Sequence, residues 1–292
     1  MRALVIGASG QVGGAIVQRL ADHGHHVVGT HHGQPQPGTR PLDLTDASAT
    51  DRCIAELEPD WIVCPAALTA VDYCESHPDE AMAANRDAPA AAARAAAKRG
   101  AGFVYFSTEY VFDGAAGPYT EDDPVNPQSV YAQSKLEGER RAVAENSRTI
   151  VIRTTVVYGP ERQGKNTVYQ ILRRAHAGEP IRVPNDQQTS PTYNVDLAAA
   201  TVELLERDFR GVLNVAGPVV LDRHAFALEV CATFGLDAGL VEGVPTESLR
   251  QPARRPLYAG LTIDRARALL HTPLRGPREA LADMRRVLES AR

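Results

Sequence analysis

The run Gly7-Ala8-Ser9-Gly10-Gln11-Val12-Gly13 follows the short apolar stretch Arg2-Ala3-Leu4-Val5-Ile6 at once. It opens a helical pattern from Gln11 to Asp22 that has Val12, Ile16, Val17 and Leu20 on one side. This order constrains the chain more than any other feature. Glycine lets a backbone turn sharply from strand to helix and lets a pyrophosphate approach the amides, while the helix N-terminus adds partial positive charge. The spacing is G-x-x-G-x-x-G rather than G-x-G-x-x-G. The strand-turn-helix context gives it meaning, and Gly7, Gly10 and Gly13 are the candidate frame of a dinucleotide site.

The alternation continues downstream. His26 to Thr30, Pro41 to Leu44, Trp61 to Cys64, Gly102 to Phe106 and Thr149 to Arg153 read as short apolar strands. Helical stretches at Ala49 to Leu57, Ala81 to Lys98 and Tyr131 to Asn146 lie among them. Short apolar strands alternating with helices predict an α/β fold, a Rossmann-type doubly wound parallel sheet covered on both faces. The pattern loosens after Tyr158. Helices are expected at Val168 to Ala177, Asp196 to Arg207, Leu221 to Phe234, Ile263 to Leu270 and Arg278 to Leu288, and Gly211 to Val215 should return to the main sheet. The expected division is a cofactor domain over residues 1–157 and 188–217, with a smaller C-terminal substrate lobe over 158–187 and 218–292. That lobe is expected to be too small for a core of its own.

Composition excludes several classes. With 31 basic and 36 acidic residues the net charge is 31 − 36 = −5, and no basic stripe suggests nucleic acid. A membrane span needs ~20 apolar residues; the run from Trp61 to Val71 falls short and is broken by Pro65. The first strand begins almost immediately, so no signal peptide is expected. Cys53, Cys64, Cys74 and Cys231 form no C-x-x-C pair and read as free thiols in a reducing cytoplasm. His23, His25, His26, His31 and His32 crowd one stretch, but adjacent strand residues point to opposite faces. They read as a polar edge beside the second strand, and no metal site is expected.

Strand two ends Gly29-Thr30-His31-His32 with no carboxylate. An acid there would accept from an adenosine 2′-hydroxyl and repel a 2′-phosphate, so NADP(H) is favoured over NAD(H), with Thr30 and His31 nearest the ribose. Arg40 is a remote candidate for the phosphate.

The catalytic signal is Tyr131-Ala132-Gln133-Ser134-Lys135. A spacing of four puts both side chains on one helix face. When hydride reaches a ketone carbon the oxygen becomes an alkoxide and needs a proton. Tyr131 can supply it if its pKa falls from ~10, which a nearby ammonium such as Lys135 favours. Thr108 ends the fifth strand, where ligands of open α/β sheets sit, and its hydroxyl can meet both the carbonyl and the tyrosine.

These residues carry a resemblance. Gly7 to Gly13, Ala66 to Asp72, Ser107 to Gly114, Pro118 to Glu121, Tyr131 to Glu139, Arg153 to Gly159, and Asp186-Gln187 with Pro191 to Tyr193 span the chain. The sequence resembles the extended short-chain dehydrogenase/reductases and, within them, the dTDP-4-dehydrorhamnose reductase family. The resemblance implies that Gly10, Gln11 and Val12 hold the pyrophosphate and that Asp43 and Leu44 lie near adenine. It also implies that Ala66, Ala67 and Leu68 line the cofactor, with Tyr131 as proton donor beside Lys135 and Thr108. The substrate half departs from the family pattern. Glu109 stands where the family has Asp, Val156 where it often has Trp, Thr167 for Phe and Thr189 for Gly. The expectation is therefore an NAD(P)H-dependent reductase of a nucleotide-linked 4-keto sugar, with Glu109 and Val156 facing substrate and Arg254 and Arg255 available to its diphosphate. The resemblance makes a homodimer the assembly to test. Two alternatives remain open: a cofactor-binding regulatory subunit, and a sugar-nucleotide epimerase or dehydratase, for which Tyr110 replaces the second acid that dehydratases place after Glu109.

Overall fold

Trp61–Cys64, Gly102–Thr108 and Thr149–Thr154 are buried at every residue, which a strand achieves only when both sheet faces are covered. The computed structural model describes residues 1–290. Its first half runs β1 (Arg2–Ile6), α1 (Gln11–Asp22), β2 (His26–His31), β3 (Thr39–Pro41), α2 (Ala47–Leu57), β4 (Trp61–Cys64), α3 (Val71–Ser76), α4 (Pro78–Met82), α5 (Ala88–Ala97), β5 (Gly102–Thr108) and α6 (Val130–Glu145). The second half runs β6 (Thr149–Thr154), β7 (Val157–Tyr158), α7 (Thr167–His176), β8 (Ile181–Pro184), β9 (Gln188–Thr189), β10 (Thr192–Tyr193) and α8 (Asn194–Glu206). It ends with β11 (Gly211–Asn214), β12 (Leu221–Asp222), α9 (Arg223–Phe234), β13 (Val241–Val244), α10 (Asp264–Leu269) and α11 (Pro277–Ser290).

Seven strands form one parallel sheet in the order β11-β6-β5-β4-β1-β2-β3. The chain winds outward in both directions from β1, so the crevice between β1 and β4 is the topological switch point where such sheets bind ligands. Side chains of β5 divide the core. Val104 and Phe106 join Ile16 and Leu20 of α1 and Leu197 to Leu205 of α8, while Phe103 and Tyr105 join Ile54 of α2 and the alanines of α5.

Several elements differ from the sequence reading. The third strand is Thr39–Pro41 rather than Pro41 to Leu44, and Leu42 and Leu44 are buried just beyond it. The alanine-rich stretch is not one α-helix: a π-helical turn at Ala83–Asp87 widens it and turns Asn85 inward, where it is fully buried. Nor does the C-terminal part lack a core. Tyr158, Val168, Ile181, Tyr193, Phe226, Leu281 and Met284 form a separate apolar cluster, closed by α7, α9, α11 and the β8–β13 pair. By contrast, Leu261, Ile263, Ala266 and Leu270 pack into the main core. All four cysteines are free, and no helix among the described residues is long and apolar enough to cross a membrane.

Gly138 lies in mid-helix, where glycine is usually unfavourable. A Cβ there would fall 2.2 Å from both the Asn85 carbonyl oxygen and the Tyr105 hydroxyl. Gly138→Ala should therefore destabilise the fold by about 1–3 kcal/mol despite its better helix propensity. Gly33→Ala, at an open position, is the comparison, read as urea midpoints. Equal midpoints would mean that the helix can withdraw at no cost.

Candidate active site

The glycine loop is built by close approach. Gly7 has φ +95°, which favours glycine, and a Cβ on Gly13 would lie 2.2 Å from the Gly7 carbonyl oxygen. Gly10 caps α1 without a side chain, and the first turn carries no acid, so the positive helix end is unopposed. The Ala66 amide donates to the Ile6 carbonyl at 3.2 Å, which brings the residue 66–68 loop beside the glycines. Among the described residues, Gln11 Nε2, Thr30 Oγ1, Ser107 Oγ and Thr154 Oγ1 are buried polar atoms with no hydrogen-bond partner. Thr30, Ser107 and Thr154 lie at or beside the carboxyl ends of β2, β5 and β6, and Gln11 opens α1. A polar dinucleotide fits such a set, because buried polar groups without partners are rare.

The adenosine end is only partly as expected. His31 is buried, and its Nδ1 lies 2.7 Å from Thr39 Oγ1. Asp43 holds Thr45 through backbone and side chain, with Leu44 buried beside it. Arg40 is paired with Glu56 at 2.7 Å. Sequence reasoning missed the segment after Tyr158. There Arg162 donates to Gln36 at 2.7 Å, and Gln163 Nε2 donates to the Ser9 carbonyl at 2.8 Å, drawing this segment onto the glycine loop.

The catalytic candidates converge at the end of β5. Thr108 caps the following turn, accepting from the Tyr110 amide at 3.2 Å, and donates its own proton to Glu109 Oε2 at 2.8 Å. Thr155 donates to Glu109 Oε1 at 2.6 Å. Burial raises the Glu109 carboxyl above the usual glutamate range, against these hydrogen bonds. The Tyr131 phenol lies beside Thr108 and is buried, and Tyr110 packs on it edge to face at 5.8 Å. Lys135 is buried one turn along α6, its Nζ 4.3 Å from the centre of the Tyr105 ring.

The charge logic of this pair differs from the sequence expectation. Burial, followed by Glu109, pushes the Tyr131 phenol up, not down. Burial lowers Lys135 itself to about 8. The protein alone thus holds Tyr131 as a neutral phenol with its proton in place.

Asn85 is a positioning residue that the sequence did not reveal. Its Oδ1 accepts from the Leu68 amide at 2.8 Å, and its Nδ2 donates to the Leu68 carbonyl and to Ser134 Oγ, both at 3.0 Å. It joins the loop beside the glycines to the tyrosine helix.

On the substrate side the two expected arginines part company. Arg254 is exposed, and Arg255 is engaged by Asp72 at 2.7 Å and Gln251 at 2.6 Å, with Tyr110 within reach at 3.4 Å. Arg255 thus fastens the lobe to α3 rather than standing free. Arg223, the first residue of α9, has no acidic partner among the described residues, yet its charge reaches Glu109 and Tyr110. Val156 adopts φ +39°, a strained conformation for a β-branched residue, directly after Thr155.

Comparison with known proteins gives the family of the chain. The family described as RmlD substrate binding domain matches residues 1–290. The chain belongs to that family. It is 36% identical to a Mycobacterium tuberculosis dTDP-4-dehydrorhamnose reductase over 96% of this chain and 91% of the relative. It is also 30% identical to bovine methionine adenosyltransferase 2 subunit beta, over 96% of this chain and 87% of the relative. Its fold matches a Clostridium acetobutylicum dTDP-4-dehydrorhamnose reductase with TM-score 0.90 and 32% identity, covering 99% of this chain and all of that one. A Bacillus anthracis dTDP-4-dehydrorhamnose reductase solved with NADP gives TM-score 0.90 at 27% identity, covering 98% and 99%.

The raised Glu109 predicts a pH signature. A carboxyl whose folded pKa exceeds its unfolded value stabilises fully below the unfolded value and loses that contribution as pH rises through the folded one. Relative to Glu109→Gln, the wild type should therefore be most stable below the usual glutamate pKa and lose ground as the pH rises above it, read as urea midpoints. A difference independent of pH would mean that Glu109 ionises freely in the fold.

Proposed function

We propose that this protein is an NAD(P)H-dependent reductase of a nucleotide-linked 4-keto sugar. The observation that carries the reading is the convergence of Thr108, Tyr131 and Lys135 at the carboxyl end of β5, beside the switch-point crevice that holds the glycine loop. When bound, the reduced nicotinamide supplies a hydride to the ketone carbon. Tyr131 then gives its phenolic proton to the oxygen that becomes alkoxide. Thr108 orients that oxygen beside the phenol, and Lys135 stabilises the phenolate left behind. Glu109 accepts the Thr108 proton before substrate enters, and that hydroxyl turns from Glu109 to the substrate oxygen to orient it. Residues 1–157 and 188–217 hold the cofactor in this reading, and residues 158–187 and 218–292 close over the sugar nucleotide.

NADPH is the preferred reductant in this proposal. The β2 end offers no carboxylate to repel a 2′-phosphate, and Arg162, held at the β2–β3 loop by Gln36, offers a cation. Arg162→Ala should raise the KM for NADPH several-fold and leave that for NADH nearly unchanged. Equal effects on both would remove Arg162 from the 2′-phosphate site.

Tyr131→Phe decides the main reading. Turnover should fall by at least about 10²-fold while NADPH still binds, measured by NADPH oxidation with a panel of nucleotide 4-keto sugars and by cofactor fluorescence. Wild-type rates in the Phe variant would sink the mechanism. The bovine relative motivates a second reading, a subunit that binds cofactor and acts through a partner. A flat response of the wild-type chain across the sugar panel, together with a stable partner enzyme, would favour it.

A further inference from the structure

Away from the active site, the histidine-rich turn between α1 and β2 meets the far end of α8. His23 closes α1, Gly24 reverses the chain with φ +74°, and His25 leads into β2. The reversal turns both imidazoles toward Glu206, the last residue of α8, about 180 positions later in sequence. His23 Nδ1 lies 3.1 Å and His25 Nε2 2.9 Å from the same Glu206 oxygen, and the three atoms all fall within 4.8 Å of one another. We propose that His23, His25 and Glu206 form a site for a divalent transition-metal ion of the zinc class, fastening the start of β2 to the end of α8.

The donor chemistry supports this assignment. Two imidazoles and one carboxylate form a donor set that zinc accepts, with a fourth position left to water. Ligands about 2.0–2.1 Å from a tetrahedral ion stand about 3.3 Å from one another. The two nitrogens would draw back from Glu206 by a few tenths of an ångström and settle at about the same spacing from each other, having started within 4.8 Å. For His25 to bind through Nε2 its Nδ1 must carry the proton, so the Met1 amino group, 3.4 Å away, gives up its long contact. His23 and Glu206 also line a cleft of about 710 Å³, so the fourth position faces solvent rather than the core. The sequence hides the site because its carboxylate comes from another element.

The test uses the full-length, untagged chain, stripped with chelator. Titration calorimetry with zinc chloride should show one equivalent bound with a Kd of about 10 μM or tighter. Cobalt(II) should give the visible absorption of a tetrahedral site. His25→Ala and Glu206→Gln should each weaken binding at least about tenfold, whereas His26→Ala, one residue outside the cluster, should not. Zinc should raise the Tm of the wild type and of His26→Ala but not of the other two. Circular dichroism of the metal-free variants establishes that they fold. Absence of zinc binding in this range by the wild type, or equal affinity in folded Glu206→Gln and His25→Ala, would overturn the proposal.

Discussion

The close approach of α6 to the sheet at Gly138 is the contact on which the site depends. Because no Cβ intervenes, the Tyr105 hydroxyl donates to the Asn85 carbonyl at 2.7 Å and lies 3.3 Å from the Lys135 carbonyl. The same tyrosine presents its ring face to the Lys135 ammonium. Asn85 carries the connection onward through its side chain to Leu68 and Ser134. Strand β5, the π-helical turn, the tyrosine helix and the loop beside the glycines are therefore set by one buried network. A glycine in mid-helix costs roughly 0.5–1 kcal/mol relative to alanine. Here that cost is offset by the hydrogen bonds that the approach makes available.

A second set of contacts fixes the lobe. Arg275 pairs with Asp196 and, at 3.0 Å, with Asp283, which also accepts from the Tyr193 hydroxyl. Arg153 is buried against Glu139 at 2.8 Å and donates to the Glu121 carbonyl, while the Glu121 side chain accepts from the Asn214 amide. Buried pairs of this kind specify geometry more than they add stability, and loss of one partner leaves a charge stranded. The lobe is thus held at three points: Arg275 at α8, Arg255 at α3 and Gln163 at the glycine loop.

Local signals in the sequence carry much of this architecture. The glycine loop, the order of buried strands and the four-residue spacing of Tyr131 and Lys135 are each set by neighbours in the chain, so period and turn chemistry reveal them. The rest depends on partners far away. Asn85 reads as one more polar residue in an alanine-rich helix until the π-helical turn brings it to Leu68 and Ser134. Gln163 meets Ser9 across 154 positions, and Arg255 meets Asp72 across 183. The strands outside the main sheet, two to four residues each, are too short to show any period. The shift of Tyr131 was also beyond sequence reasoning. Proximity to a lysine was visible, but the burial that outweighs it was not.

The departures from the family pattern now acquire a physical meaning. The longer side chain of Glu109 places one oxygen on Thr108 and the other on Thr155, so the carboxyl is engaged within the protein. Burial holds its pKa above the usual glutamate range, and both of its oxygens are occupied by threonine hydroxyls. Arg255 is balanced by Asp72, whereas Arg223 has no such partner among the described residues and acts on the same wall. Lys135 and Arg223 thus bring cations to the reacting groups, although the chain as a whole carries −5. An anionic sugar nucleotide would be attracted to these cations, because attraction at short range in a buried crevice outweighs a screened net charge spread over the surface. In the proposed reading Val156, strained and unable to stack, leaves recognition of such a substrate to charge and hydrogen bonding.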